Sequence, residues 1–429
     1  MKRLKITVIG AGSTYTPELI EGLIKLKKEL PVTDLFLMDI DRTKLEIIGG
    51  LTKRMLQAGE FHCNLVLTGE LEEAITGADF IITQIRVGKL EARIKDEKIP
   101  LKYDLIGQET TGAGGFMKAL RTIPVMMNIA RMIEKKSPQA WLINFANPSG
   151  IIAETLTTFA KINVIGLCNA PINMKRDALA RVPGDAKNVE VEYIGLNHLS
   201  WIAEIRCDGT GILQDQLLGK FEFYRPANIP KIDFDDELLK VIRGIPNYYL
   251  SYYYYREKAL KHQKEEPKSR GEVCREIEQE LLALYQQPEL KEKPAVLDKR
   301  GGHFYSQAAI SLIDAIYNDK NEEHILNVKN GHALDFMGEE DVVEINCLVN
   351  KNGARPIPIK NFGNEHIKGM MKTVKAYEKY AVQAGHSGNY QDALNALLLN
   401  PLVGDFHKAK AVLDEMLETH KEFLPQFFQ

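Results

Sequence analysis

The chain is poor in cysteine, with 5 among 429 residues, an odd count at irregular spacing. A disulfide framework needs paired, patterned cysteines, so these are expected as reduced thiols in a cytoplasmic protein. Any special cysteine then owes its role to a metal or to reaction chemistry. The chain also lacks a predominant charge: 55 Lys and Arg stand against 58 Asp and Glu, a net charge of −3. Without a basic patch, nucleic acid is not an expected partner. No apolar run approaches the roughly 18 residues that span a bilayer, so no membrane partner is expected either. Residues 1–5 run straight into a strand-like segment and lack the long apolar region of a signal peptide. Internal repeats, heptad arrays and low-complexity tracts are absent. What remains is a mixed composition, 45% hydrophobic and 26% charged. At this length it predicts a soluble globular protein of two closely associated domains.

The first 170 residues alternate strand and helix patterns. Residues 4–10, 34–39, 63–68, 79–85, 140–146 and 164–167 read as strands, and 17–30, 43–58 and 115–136 as helices. That alternation predicts a Rossmann-like, doubly wound parallel sheet over residues 1–170. Beyond it, residues 189–195 and 200–207 alternate at period two and read as paired antiparallel strands. Helical patterns follow at 271–285, 365–384 and 390–399, while 220–234, rich in Pro and aromatics, reads as an irregular excursion. Residues 171–429 are therefore expected as an α+β domain carrying catalytic, substrate and oligomerisation functions, packed on the first domain rather than tethered to it.

Gly10-Ala11-Gly12-Ser13 stands where the first strand meets the first helix. A glycine turn there lets backbone amides approach a pyrophosphate at a helix N-terminus. Asp39 ends the second strand, where an acid binds a ribose hydroxyl and favours NAD over NADP. The third glycine of the usual fingerprint is missing, because Tyr15 occupies its place. Gly10, Gly12, Ser13 and Asp39 are the expected cofactor contacts.

Cys168 directly follows a buried strand in Cys168-Asn169-Ala170-Pro171, and His198 lies between two strands in Gly195-Leu196-Asn197-His198. Read alone, each is more often a structural residue than a ligand. Their spacing matches no zinc-finger pattern. Polar, glycine-rich loops stand at other strand ends: Arg86-Val87-Gly88 leading to Arg93, the 107–115 loop holding Glu109, and Asn147-Pro148-Ser149-Gly150. Such loops hold ligands when they converge on one crevice, and are ordinary turns when they do not. Lys299-Arg300-Gly301-Gly302-His303 and Asn330-Gly331-His332 are further loop candidates.

Together these motifs resemble glycoside hydrolase family 4, in the branch acting on 6-phospho-β-glucosides. The resemblance runs over essentially the whole chain. It is carried by Gly10-x-Gly12-Ser13-x-Tyr15-Thr16-Pro17, Gly107-Gln108-Glu109-Thr110-Thr111-Gly112 and Asn147-Pro148-Ser149-Gly150. It continues through Cys168-Asn169-x-Pro171, Gly195-Leu196-Asn197-His198 and Tyr249-Leu250-Ser251-Tyr252-Tyr253. Tyr15 belongs to this family's version of the nucleotide loop. The family departs from the paired-carboxylate mechanism of most glycosidases.

The resemblance implies a C-terminal α+β domain of the lactate/malate dehydrogenase type, NAD as cofactor, and a divalent metal, usually manganese, on Cys168 and His198. It implies Tyr249 as catalytic base and Glu109 as the acid that strengthens it. Arg93, Asn147 and Asn169 would contact substrate, and Arg270 would lie near the sugar phosphate. The implied reaction oxidises C3 of the sugar, removes the acidified C2 hydrogen, expels the aglycone from C1, adds water and reduces the ketone again. Relatives specific for α-linkages carry an Asp where this chain has Asn169, which favours the β branch and leaves the leaving-group acid unassigned. His332 stands where the family has a glycine. A homodimer or homotetramer is implied as well. The rival readings are another family 4 glycosidase, such as a 6-phospho-α-glucosidase, an NAD-dependent 2-hydroxy-acid dehydrogenase, and a nucleotide-sensing scaffold with a degenerate site.

Overall fold

Six short apolar runs build one half of the sheet: β1 (Lys5–Ile9), β2 (Asp34–Met38), β3 (Asn64–Thr68), β4 (Phe80–Thr83), β5 (Trp141–Asn144) and β6 (Asn163–Gly166). The computed structural model describes residues 3–182, 184, 186–213, 229–300 and 305–428. The six strands pair in parallel in the order β3-β2-β1-β4-β5-β6. This is the doubly wound dinucleotide order, with its switch point between β1 and β4. Both of those strands are buried along their whole length. Helices cover both faces, so their sequences lack polar alternation.

The second half continues the same sheet. Its strands are β7 (Val189–Leu196), β8 (Leu199–Cys207), β9 (Thr210–Gly211), β10 (Ile245–Pro246), β11 (Glu322–Lys329), β12 (Val342–Asn350) and β13 (Gly353–Pro356). β11 lies antiparallel to β6 through Asn327 and Gly166, and β12, β7, β8 and β10 follow outward. Among the described residues the sheet has 13 strands. One hydrophobic core runs through both halves, from Val8 and Ile143 to Leu326, Ile345 and Val374.

The six N-terminal strands and the β7–β8 pair stand where the sequence placed them. β11 and β12 were not anticipated. β12 (VVEINCLVN) is buried at nearly every position, so it shows no period-two signal. The first helix is shorter than the expected 17–30, spanning Thr16–Lys25. Beyond it Leu30 turns back, its amide donating to the Leu26 carbonyl at 2.8 Å, and its fully buried side chain joins the core before β2 begins. The long helix begins at Gly112 and reaches Lys136. Residues 220–228 of the expected irregular excursion lie outside the described residues, as do Gly301, Gly302 and His303. Among the described residues no helix is long and apolar enough to cross a membrane.

Candidate active site

The loops that leave the carboxyl ends of β1, β2, β4, β5 and β6 open onto one cavity of about 810 Å³. The β7–β8 turn and the short helical turn Tyr248–Leu250 close it from the second half. Gly10, Gly12, Ser13, Asp39, Arg93, Glu109, Asn147, Cys168, Asn169, His198 and Tyr249 all line it. Arg270 does not. Its guanidinium donates to the carbonyl oxygens of Lys299 and Arg300 at 2.8 and 3.1 Å.

At the nucleotide turn, Gly10 has φ +86°, and a Cβ there would meet the backbone of Gln84 and Ile85 at 3.0 Å. A Cβ on Gly12 would stand 2.7 Å from the Asp39 carboxylate. That carboxylate accepts from the Gly12 amide at 2.7 Å and from the Asp41 amide at 2.8 Å. Asp39 therefore braces the turn while facing the cavity, and the backbone at Gly10 leaves a cradle that only glycine permits there. Second-half residues reach across it. Lys44 pairs with Glu278, Arg300 bonds the Thr14 hydroxyl, and Tyr285 Oη donates to the Thr14 carbonyl at 2.8 Å.

Cys168 Sγ and His198 Nε2 lie 3.6 Å apart. Bonds of about 2.3 Å to sulfur and about 2.1 Å to nitrogen, at a tetrahedral angle, subtend roughly this distance. The pair therefore fits one divalent cation. Among the described residues no third His, Cys, Asp or Glu completes the set. Two protein ligands leave the other positions to oxygens from outside the chain. Burial pushes the Cys168 thiol up to about 12, helped by the Glu344 carboxylate and opposed by nearby amides. Burial pushes His198 down to about 3, so its imidazole is neutral and free to act as a ligand. His198 sits at the hairpin apex with φ +66°. A non-glycine residue holds that conformation at a cost of about 1 kcal/mol, the kind of strain found at functional sites.

Tyr249 stacks on His198, with ring centroids 4.0 Å apart. Glu109 is held by three cations: Arg86, Arg93 at 2.9 Å and Lys118 at 2.9 Å. Burial works to raise the Glu109 carboxyl, but these cations outweigh it and hold it well below the usual range. Burial, with Arg86 and Arg93 alongside, lowers the Lys118 amine to about 7 despite Glu109. Asn147 Oδ1 is buried, has no hydrogen-bond partner among the described residues, and stands in the cavity wall.

Sequence reasoning missed Lys118, the role of Arg86, and the buried Glu344 behind the Cys168–His198 pair. The available signal was a lone charge inside an apolar run, Lys118 in GGFMKAL and Glu344 in VVEINCL. Such a charge survives burial only with partners.

The fold and this cavity define a dinucleotide-binding enzyme of the doubly wound α/β class. Residues 5–182 match Family 4 glycosyl hydrolase, and residues 193–403 match the Family 4 glycosyl hydrolase C-terminal domain. The chain belongs to glycosyl hydrolase family 4. It is 43% identical to a probable 6-phospho-β-glucosidase of Bacillus subtilis, covering 100% of this chain and 98% of the relative. It is 31% identical to a phospho-α-glucosidase of Clostridium acetobutylicum, over 99% of both chains. The 6-phospho-β-glucosidase of Thermotoga maritima, solved with manganese, NAD+ and glucose-6-phosphate, superposes with a TM-score of 0.89 at 34% identity, covering 98% of this chain and 99% of that one. A malate dehydrogenase of Plasmodium falciparum, at 15% identity and a TM-score of 0.52 over 89% of this chain and 98% of that one, shares the fold.

Proposed function

We propose that this chain is a 6-phospho-β-glucosidase, hydrolysing phosphorylated β-glucosides such as cellobiose 6-phosphate with NAD and a divalent cation, manganese in its working form. The observation that carries the reading is the stacking of Tyr249 on His198 at 4.0 Å, which puts a phenol oxygen's ring against the proposed cation seat. When bound, NAD supplies the hydride acceptor for the sugar's C3 carbon, and the cation on Cys168 and His198 supplies Lewis-acid stabilisation of the negative charge that follows.

The chain's own residues do the rest. Gly10, Gly12 and Ser13 cradle the dinucleotide, and Asp39 faces its ribose. Tyr249 takes the proton from C2. A tyrosine has an ordinary pKa of about 10, so it needs a neighbouring cation to act as phenolate near neutrality. Glu109 is ionised beside this machinery and strengthens the proton pull. The unpartnered Oδ1 of Asn147 accepts a sugar hydroxyl. Arg93 and Asn169 hold the sugar. The cations around Glu109 leave positive charge facing the cavity, which suits an anionic substrate. Arg270 stands off the cavity wall, where it braces the carbonyls of Lys299 and Arg300. Asn169, which has no acidic proton to give, favours the β-linkage over the α-linkage.

We also infer that residues 1–170 hold the dinucleotide, that residues 171–429 supply His198, Tyr249 and subunit contacts, and that the protein is a cytoplasmic homodimer or homotetramer. A chromogenic 6-phospho-β-glucoside should turn over only with NAD, manganese and a reductant present. The α-anomer and the unphosphorylated glucoside should turn over far more slowly. Full activity after exhaustive chelation would overturn the metal assignment.

A further inference from the structure

Behind the proposed cation seat lies a buried polar chain with one carboxylate at its centre. Glu344, on β12, is wholly buried. Its Oε1 accepts from Asn197 Nδ2 at 3.1 Å and from Asn327 Nδ2 at 3.0 Å. Its Oε2 accepts from Tyr193 Oη at 3.1 Å. Two branches leave this carboxylate. On the first, Asn197 directly precedes His198, its Oδ1 accepts from the Ser149 amide at 3.0 Å, and its side-chain amide lies against the Cys168 sulfur. On the second, Tyr193 Oη lies 2.6 Å from Ser200 Oγ, which accepts from Asn247 Nδ2 at 3.0 Å. Asn247 Oδ1 in turn accepts from the backbone amide of Tyr249 at 3.2 Å. Tyr193, Ser200 and Asn247 are all wholly buried.

We propose that Glu344 is a positioning residue: through these two branches one carboxylate sets the spacing between the Cys168–His198 pair and the Tyr249 ring. The inference rests on the cation and base assignments made above. The direction of the donors supports it. Asn247 donates to Ser200, whose hydroxyl is then free to donate to Tyr193, and Tyr193 donates to Glu344. Every bond on that branch runs towards the carboxylate, so the ionised, acceptor-only form of Glu344 is the one that holds the branch together. A neutral amide in its place brings an N–H against donors and misaligns both branches. Partners behind a metal ligand commonly carry about 10- to 100-fold in metal affinity. A buried chain of this kind holds its members as one unit.

The test is manganese titration of the full chain, read as the loss of the free-ion electron paramagnetic resonance signal, alongside kcat, KM and NAD affinity. Glu344→Gln should weaken manganese binding by about 10-fold or more and lower kcat, with NAD affinity unchanged. Tyr193→Phe cuts only the second branch. It should keep the parent's manganese affinity while lowering kcat by roughly 10-fold at unchanged KM, the loss expected for one buried hydrogen bond. His198→Ala separates the two levels of inference: retained manganese binding in that variant would sink the ligand assignment itself. Parent-like manganese affinity and kcat in a folded Glu344→Gln protein would overturn the positioning role. If Glu344→Gln fails to fold, Tyr193→Phe decides, and parent-like kcat there would overturn it.

Discussion

Glu344 carries a linkage of definite sign. Burial pushes its carboxyl up to about 7 from 4.5, against the pull of Asn197, Asn327 and Tyr193. With the folded value above the unfolded one, the native state keeps a proton that the unfolded chain has lost. The stability this group contributes is fully present below the unfolded pKa and is lost as pH rises through the folded one. Replacing Glu344 by Gln removes the titration. The melting temperature of the metal-free parent should therefore fall relative to Glu344→Gln between about pH 5 and about pH 7, and the difference should level off above that. A difference that stays flat across this range would mean that Glu344 does not titrate there. Lys118 obeys the same physics with the opposite charge: burial and two arginines, not residue type, bring its amine to about 7.

At the scale of single elements, local chemistry decided what could be read in advance. The β1 turn was legible because strand and glycines are consecutive, with an acid at the end of the next strand. The parallel strands were legible as unbroken apolar runs. Cys168 and His198 were weak signals, since their 3.6 Å meeting is made by two different strand ends and no spacing rule encodes it. β11 and β12 escaped because charged and polar residues break their apolar runs: Glu322 and Glu323 open β11, and Glu344 and Asn346 sit within β12. Glu344 and Lys118 escaped because their partners come from other elements. The nucleotide turn also gives a sharp expectation. In Gly12→Ala the new Cβ would stand 2.7 Å from an Asp39 oxygen, so either that carboxylate swings away or the turn opens, and the bond between the residue 12 amide and Asp39 is lost either way. NAD affinity measured by fluorescence titration should drop by about 10-fold or more, equivalent to one charge-assisted hydrogen bond, while far-ultraviolet circular dichroism stays unchanged. Parent-like NAD affinity would remove this turn from the cofactor site.

Across the whole molecule, the two halves share a sheet, a core and a cavity. Lys44–Glu278, Arg300–Thr14 and Tyr285–Thr14 tie the second half to the nucleotide turn. Arg54 adds bonds to the carbonyls of Leu290 and Tyr285 at 2.8 and 2.6 Å. A dinucleotide seated under these contacts should stabilise both halves at once. Calorimetry should show one unfolding transition that moves upward as a unit with NAD, by about 2.7 kcal/mol at a hundredfold excess over Kd. Two transitions, of which NAD moves only one, would show that the halves unfold independently. The same shared architecture lets the proposed cation seat from β6 and the β7–β8 turn face a tyrosine from beyond β10.

That placement is the centre of the account, and solvent isotope incorporation tests it most directly. The purified protein, with NAD, manganese and a 6-phospho-β-glucoside, is run in deuterium oxide, and the released glucose 6-phosphate is examined by nuclear magnetic resonance. If Tyr249 removes the C2 proton before the aglycone leaves, the product carries deuterium at C2. Product that keeps its original hydrogen at C2 would contradict the proposed reaction.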